Sequence, residues 1–558
     1  MKRLALSFAV AYLICAAVGV VCDLWFRLAT STANAAAFVG PDVPAASTVR
    51  YVTPGTTASA LSNILWTVPN NSEIHIAPGV YSVPLLGSDP AATACSLILP
   101  NKTNVSIFAH GAILSNSTPT SAGHMLMISN FNNVSIYGGK WDGGAIVDTN
   151  TGFPALIALD RTGDGFRLQY AHLTRSVKGV KAWTNSPAFT NLYYLDNRFT
   201  FLGDTNHPGV GGASFDGSAI EAWGNRVWAQ RNTLEYCVKG FELYPQANET
   251  VFSQINITDN HFINCQGDFS IWFLSDSPIT IAQANISRNT FSNAPNITIL
   301  NTDTAGISIQ GATLYQCVIS ENIFTGEVWE GINMVGAGSL VSSVISRNNI
   351  RTRLNGIRLE STTSGAIRNN VISENYIENV GRRGISLNGS DNVIANNFIR
   401  NVSTNSFWRD TQGEMGGIFI GTAGASSTNN YITGNVIGDD QATATTYVGI
   451  GFHATTAQNY VEGNNFFRVT TNVYTLSTTN RIAPRTVSEG TATLSSGVAT
   501  VNTLWVGANS RIMLTPRATA NLVNALTVTN VVNGTSFQIR SASNTDGNRV
   551  DWVLEEPQ

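Results

Sequence analysis

Charge is what this sequence has least of. Asp, Glu, Lys and Arg make up 12% of the 558 residues, about half of the ~25% usual in globular chains. The formal net charge of −4 comes with no polybasic tail or charge run, which excludes the electrostatic footprint of a nucleic-acid binder. Helical periodicity is nearly absent, and that removes doubly wound folds and helix bundles. Cysteine is too sparse for a disulfide framework. Of the six, Cys15 and Cys22 fall near the N-terminus, Cys95 and Cys317 stand alone, and only Cys237 and Cys265 hold equivalent places in successive repeats. A stacked pair of buried thiols is expected there, with a disulfide between coils as the alternative. The seven histidines are scattered, and no His, Cys or clustered Asp spacing suits a metal, so no cofactor is expected.

Long hydrophobic runs are also missing, with one exception. Lys2 and Arg3 precede an uncharged run from Leu4 to Cys22, and Ala33-Asn34-Ala35-Ala36-Ala37 follows. These are the three parts of a secretory signal over residues 1–37. The run is 19 residues long, close to a membrane span, so an uncleaved signal anchor stays open. Either reading places the chain outside the cell or on its surface.

What the sequence has in plenty is glycine (49 residues) and asparagine, and both recur in order. An Asn-x-aliphatic or aromatic unit repeats at Asn197, Asn232, Asn260, Asn289, Asn322, Asn348, Asn375, Asn397, Asn435 and Asn465, at spacings of 22 to 38 residues. Each is followed by Gly-aliphatic-x-aliphatic, as in Gly240-Phe241-Glu242-Leu243, Gly331-Ile332-Asn333-Met334 and Gly384-Ile385-Ser386-Leu387. Such a strand of period two buries its apolar side chains only against strands of other turns, so the units wind into a solenoid. Asn at a fixed coil position tolerates the left-handed backbone of a sharp turn and can bond the Asn of the next coil. The Asn series is therefore read as structural.

These repeats resemble the pectin-lyase-like right-handed parallel β-helix superfamily, which includes pectate lyases, polygalacturonases, epimerases and phage tailspike depolymerases. The lead-in Ser72-Glu73-Ile74-His75-Ile76-Ala77-Pro78-Gly79-Val80-Tyr81 resembles the first coils of that superfamily. The resemblance implies an all-β fold, with the β-helix over residues 48–480 and a polysaccharide as the expected partner. It specifies the fold more than the function, because the superfamily hosts several chemistries. The polygalacturonase motifs fail: no paired Asp follows Asn301-Thr302-Asp303, and there is no Gly-His-Gly. Residues 488–558 hold short alternating strands and end in Val550-Asp551-Trp552-Val553-Leu554. This C-terminal β module resembles those of phage tail proteins, which implies a possible homotrimer formed through it.

Outward residues of adjacent coils stack about 4.8 Å apart, so chemistry is sought in outward columns. Aligning Lys178-Gly179-Val180-Lys181-Ala182-Trp183 with Lys239-Gly240-Phe241-Glu242-Leu243-Tyr244 gives two of them. One holds Lys181, Glu221, Glu242 and Ser270; beside it run Trp183, Trp223, Tyr244 and Trp272. The aromatic column reads as a stacking track for sugar faces, or as rings covered by a loop. Glu221 and Glu242, one coil apart, should repel, so that one keeps its proton to higher pH, as an acid paired with a base or nucleophile in glycoside cleavage. The alternative is a solvated charge ladder. Lys181 could bind an acidic sugar. Asp204, His207 and Asp216 in the 203–217 insertion could complete the site, with His207 or Lys239 as base in a lyase. The expected function is degradation of an extracellular or capsular glycan by a hydrolase or lyase, against non-catalytic glycan adhesion or a tailspike-type depolymerase.

Overall fold

The computed structural model describes residues 48–556 except 85–94, 119–122, 145–154, 184–188, 204–216, 245–250, 266–268, 295–304, 327, 364, 405–415, 422–425, 443–444, 476, 478, 483–484, 504–505, 507–509, 518–523 and 534. The leader over residues 1–37 and the candidate residues Asp204, His207 and Asp216 thus lie outside the described residues.

The repeats form parallel ladders in which every coil pairs with the one before and after it, as a right-handed parallel β-helix. The inward position of the Gly-aliphatic strands makes one unbroken column. Val180, Ile220, Phe241, Ile271, Ile307, Ile332, Ile357, Ile385, Ile418 and Ile450 follow one another in register, all 0–1% exposed. Burying each such side chain is worth about 1.5–3 kcal/mol, and a strand alone has nothing to bury it against. The glycine that opens these strands answers to a close approach. A Cβ on Gly356 would lie 2.6 Å from the carbonyl oxygen of Gly384 and 2.8 Å from Ile377.

The asparagines form a continuous hydrogen-bonded ladder. Asn289 is typical: its backbone N–H and its Nδ2 both donate to Asn322 Oδ1 at 3.0 Å, and Nδ2 also donates to the Ile257 carbonyl at 2.8 Å. The ladder runs from Asn197 through Asn232, Asn260, Asn289, Asn322, Asn348, Asn375, Asn397 and Asn435, and it ends on Asn464, one residue before the expected Asn465. A parallel ladder through Asn370, Asn392, Asn430, Asn459 and Asn480 begins on Cys317 and Ser343, whose side chains accept the equivalent backbone N–H bonds.

The left-handed residue is not the ladder Asn but the one before it. Asp196, Arg231, Asp259, Arg288, Glu321, Arg347 and Glu374 all have φ between 53° and 60°. Their signs alternate up the helix, and neighbours pair: Arg231 with Asp196 at 2.6 Å, Arg288 with Asp259 at 2.8 Å and Arg347 with Glu321 at 3.1 Å. Side-chain pairing across coils thus offsets part of the strain of left-handed non-glycine residues.

Cys237 and Cys265 are buried free thiols, not a disulfide. Among the described residues one helix, Ala58–Thr67, interrupts the all-strand pattern near the start. Thr57 caps its N-terminus, Leu61 and Leu65 enter the core, and the buried Lys102 ammonium donates to the Trp66 and Val68 carbonyls at its C-terminal end.

The last helical rung is Arg481–Ile482, and the C-terminal module begins with the strand Arg485–Thr493. It consists of two three-stranded antiparallel sheets. Phe537, Ile539, Val550, Trp552 and Leu554 form a core separate from that of the β-helix, with Phe537 and Trp552 edge to face.

The ladder predicts a contrast between neighbouring residues. Asn289→Ala leaves buried groups of Asn260 and Ile257 without partners and should cost about 2–4 kcal/mol. Arg288→Gly relieves the positive φ while losing an exposed ion pair, and should change stability by less than about 1 kcal/mol. Urea unfolding of the two variants measures both.

Candidate functional site

The polar groups that matter stand outside the core on the Gly-aliphatic sheet. Strict alternation fails at its glycine, where the backbone closes on the next coil, so the residue before Gly faces the same side as the residue two after it. The observed contacts follow: Lys239 Nζ reaches Glu242 Oε1 at 3.2 Å, and Arg383 Nη1 reaches Ser386 Oγ at 2.9 Å.

On three early coils this brings together Lys178, Lys181, Ser218, Glu221, Lys239 and Glu242, all buried. Lys181 is in register with Glu221 and Glu221 with Glu242, as the sequence alignment expected. Glu221 Oε2 pairs with Lys178. Glu242 pairs with Lys239 and accepts from Ser218 Oγ at 2.5 Å. His124 joins from the preceding coils, its Nδ1 accepting the Ala155 N–H at 3.0 Å. Burial first, and then the charges of Lys181 and Lys178, push its pKa down to about 3. His124 is thus neutral, with its proton on Nε2.

The expected proton-holding acid is not found at Glu242. Burial, the largest single influence, pushes its pKa up, but Lys178, Lys239 and the Ser218 hydroxyl together hold it below the ordinary carboxylate range. Repulsion from a neighbouring carboxylate is outweighed because each carboxylate has its own ammonium.

The aromatic column also needs correction. Trp272 lies in the glutamate column, directly in register with Glu242, where Ser270 was expected. The register follows the inward residues, Phe241 opposite Ile271, and a two-residue shift keeps the face while changing the neighbours. Trp223 is 1% exposed and belongs to the hydrophobic cluster of the core, so it offers no face to a sugar. Tyr244 and Trp272 are half-buried. The Lys239 ammonium sits 4.0 Å from the Trp272 ring centroid, and the indole donates to Gln310 Oε1 at 3.3 Å. The Trp183 side chain lies outside the described residues. An open row of rings is therefore absent among the described side chains.

Sequence reasoning missed a second charged cluster on the same face. Arg358 bonds Glu360 at 2.9 Å and reaches Glu330 at 3.4 Å; Arg383 bonds Glu360 at 2.6 Å and lies 4.3 Å from the Phe419 ring centroid. Asn355 Nδ2 donates to Glu330 at 2.5 Å. The two arginines hold Glu360 below the ordinary carboxylate range against its burial. The available signal was the residue before each Gly: Glu330, Asn355 and Arg383 occupy the place of Lys178 and Lys239. Between the clusters, Ser308 Oγ and Asn333 Oδ1 are buried with no hydrogen-bond partner among the described residues.

Comparison with known proteins agrees with the fold. Residues 284–466 match the family model of the right-handed β-helix region, and residues 486–554 match that of the K1 capsule-specific polysaccharide lyase C-terminal domain. Among solved structures, the Dettilon tailspike protein is similar at 13% identity and a TM-score of 0.40, covering 91% of this chain and 94% of its own. A tailspike mutant of E. coli bacteriophage HK620 in complex with a pentasaccharide gives 10% identity, a TM-score of 0.41, and 90% and 91% coverage. The A-module of an Azotobacter vinelandii mannuronan C-5 epimerase gives 11% identity, a TM-score of 0.29, and 76% and 92% coverage. A comparison with curated proteins finds no match. The chain is a right-handed parallel β-helix followed by a C-terminal module that resembles the C-terminal domain of a capsule-specific polysaccharide lyase.

Proposed function

We propose that this protein degrades an extracellular, capsule-type polysaccharide, with Glu221 and Glu242 as its reacting carboxylates. The observation that carries this reading is the pair itself: two carboxylates in register on adjacent coils, buried outside the hydrophobic core, each with its own lysine. Buried charges outside a core contribute little net stability, and a perturbed carboxylate in such a place, as Glu242 is, favours a chemical role. The match of residues 486–554 to a domain of a capsule-specific polysaccharide lyase supports a capsular substrate and a place outside the cell or on a particle surface.

Within this reading Glu242 is ionised and serves as the base that activates water or the nucleophile that attacks the anomeric carbon. Lys239 and Ser218 hold it in that state, and Lys178 and Lys181 offer cationic partners to an acidic sugar. Hydrolysis adds water across the glycosidic bond and leaves a new reducing end. Cleavage by elimination would instead leave an unsaturated sugar. A binding-only role is the second reading, favoured by the pairing of both carboxylates with lysines. Trimer assembly through the C-terminal module belongs to the same proposal, by analogy with tailspikes.

Glu242→Gln should lower reducing-end release from capsular polysaccharide about 10²–10⁴-fold, and Glu221→Gln should also impair it. Full activity in both variants removes the pair from the mechanism; ultraviolet absorbance of an unsaturated product replaces hydrolysis with elimination. Glycan binding without any product, weakened by Trp272→Ala, establishes the binding-only reading.

The pH profile gives a separate check. Because Glu242 is held below its ordinary pKa, its ionised form persists as pH falls, until the pH passes through that lowered value. The acid limb of activity should therefore lie below the ~4.3 of a free Glu. An acid limb near pH 6 would mean that the required carboxylate is a raised one, contrary to this assignment.

A further inference from the structure

A cleft of about 980 Å³ opens at the N-terminal end of the β-helix, between the helix Ala58–Thr67 and the strands Gly79–Ser82 and Cys95–Pro100. Its described lining carries no Asp, Glu, Lys, Arg or His. The polar groups are neutral hydroxyls and one amide, among them Ser59, Ser62, Asn63, Ser82 and Ser117. The apolar part is Trp66, 55% exposed, with Val80, 66% exposed. The one titratable group, the Cys95 thiol, is pushed up to about 11 by burial and then by the charge of Asp160, so it stays neutral.

The wall that carries Trp66 is fixed before any ligand arrives. Leu61 and Leu65 anchor its helix in the core, and Lys102 ties down the last turn through the Trp66 and Val68 carbonyls. Several outer rings of the coils are spent on one another: His75 on Phe108, Phe108 on Tyr137, Tyr193 on Trp228 and Tyr431 on Tyr460 have centroids 4.6–5.3 Å apart at small angles. A ring stacked in a ladder shows solvent its edge. Trp66 has no ring partner among the described residues and keeps a face. An exposed indole face beside hydroxyls and an amide, in a cleft whose described lining carries no charge, is complementary to a neutral pyranose, whose C–H face is apolar and whose rim donates and accepts hydrogen bonds.

The same ladder of strands leads from the cleft to the charged cluster. Cys95 is in register with His124, whose Nδ1 accepts from Ala155, and Ala155 is in register with Lys178. Three rungs, about 14 Å, separate Cys95 from Lys178. We infer that this cleft is a subsite for an uncharged sugar residue, with Trp66 as its stacking platform, at the N-terminal end of the glycan track. Its place on a track rests on the proposed function; the binding of a neutral saccharide does not.

The test is direct binding to the full chain, followed by tryptophan fluorescence and ligand-observed NMR, with neutral malto-, cello-, laminari-, xylo- and manno-oligosaccharides and an oligogalacturonate as the acidic probe. At least one neutral probe should bind, and Trp66→Ala should weaken it at least tenfold. Ser62→Trp, which fills the cleft, should do the same. The readout is binding of short neutral saccharides and not glycan cleavage, so failure of the catalytic assignment is read separately. Thermal melting confirms that each variant is folded. The inference is overturned if no neutral probe binds, if binding survives both cleft variants, or if only the acidic probe binds. It is also overturned if Trp66→Ala changes the state of association in light scattering while leaving saccharide binding intact, because the cleft is then a contact between copies.

Discussion

The rest of this structure depends on register between coils, and the buried amide ladder is what fixes it. Each ladder Asn satisfies a backbone N–H of the coil before it and donates to a carbonyl, so a coil shifted by one residue strands several buried polar groups at once. The cost of an unmade buried hydrogen bond is larger than the net gain of a made one. For that reason the ladder acts more by penalising wrong registers than by adding stability to the right one. The isoleucine column agrees with the same register, since a one-residue slip would turn every Ile outward.

Register then decides which polar side chains meet. Lys181, Glu221, Glu242 and Trp272 are brought together by nothing in their own strands beyond being opposite one another. The glycine adds the second row. By letting the backbone pass close to the next coil, it turns the residue before it toward the same face, and so supplies Lys178 and Lys239 as partners for the two glutamates; Ser218, followed by the equally small Ala219, holds the equivalent place. The electrostatics follow from that geometry. Two carboxylates alone in such a place would share a proton, but with an ammonium each, Glu242 stays ionised against its burial.

Much of the fold was legible in the sequence because its causes are local and repeated. The Gly-aliphatic strands and the Asn series gave the solenoid, and equal offsets gave the pairing of Glu221 with Glu242. What was not legible depends on small departures from the repeat. Trp272 is displaced by two residues from its expected neighbour because the register follows Ile271, which faces Phe241. Trp223 is buried at the end of its strand, where alternation no longer says what a side chain meets. Glu330 and Arg383 went unseen because alternation counted from the aliphatic residues places the residue before Gly on the inside, and without them Arg358 and Glu360 have no visible partners across coils. The left-handed turn position was assigned to Asn on propensity, whereas here Arg, Asp and Glu adopt it, paired by charge across coils.

The central claim is that the lysine-held glutamate pair is where a glycan is cut. A crystal structure of Glu242→Gln with a capsular oligosaccharide tests this most directly. The account predicts a glycosidic bond lying across residues 221 and 242, with its anomeric carbon or an attacking water within about 3.5 Å of the 242 side chain. A glycan ordered on a different face of the β-helix, with residues 221 and 242 untouched, would contradict it.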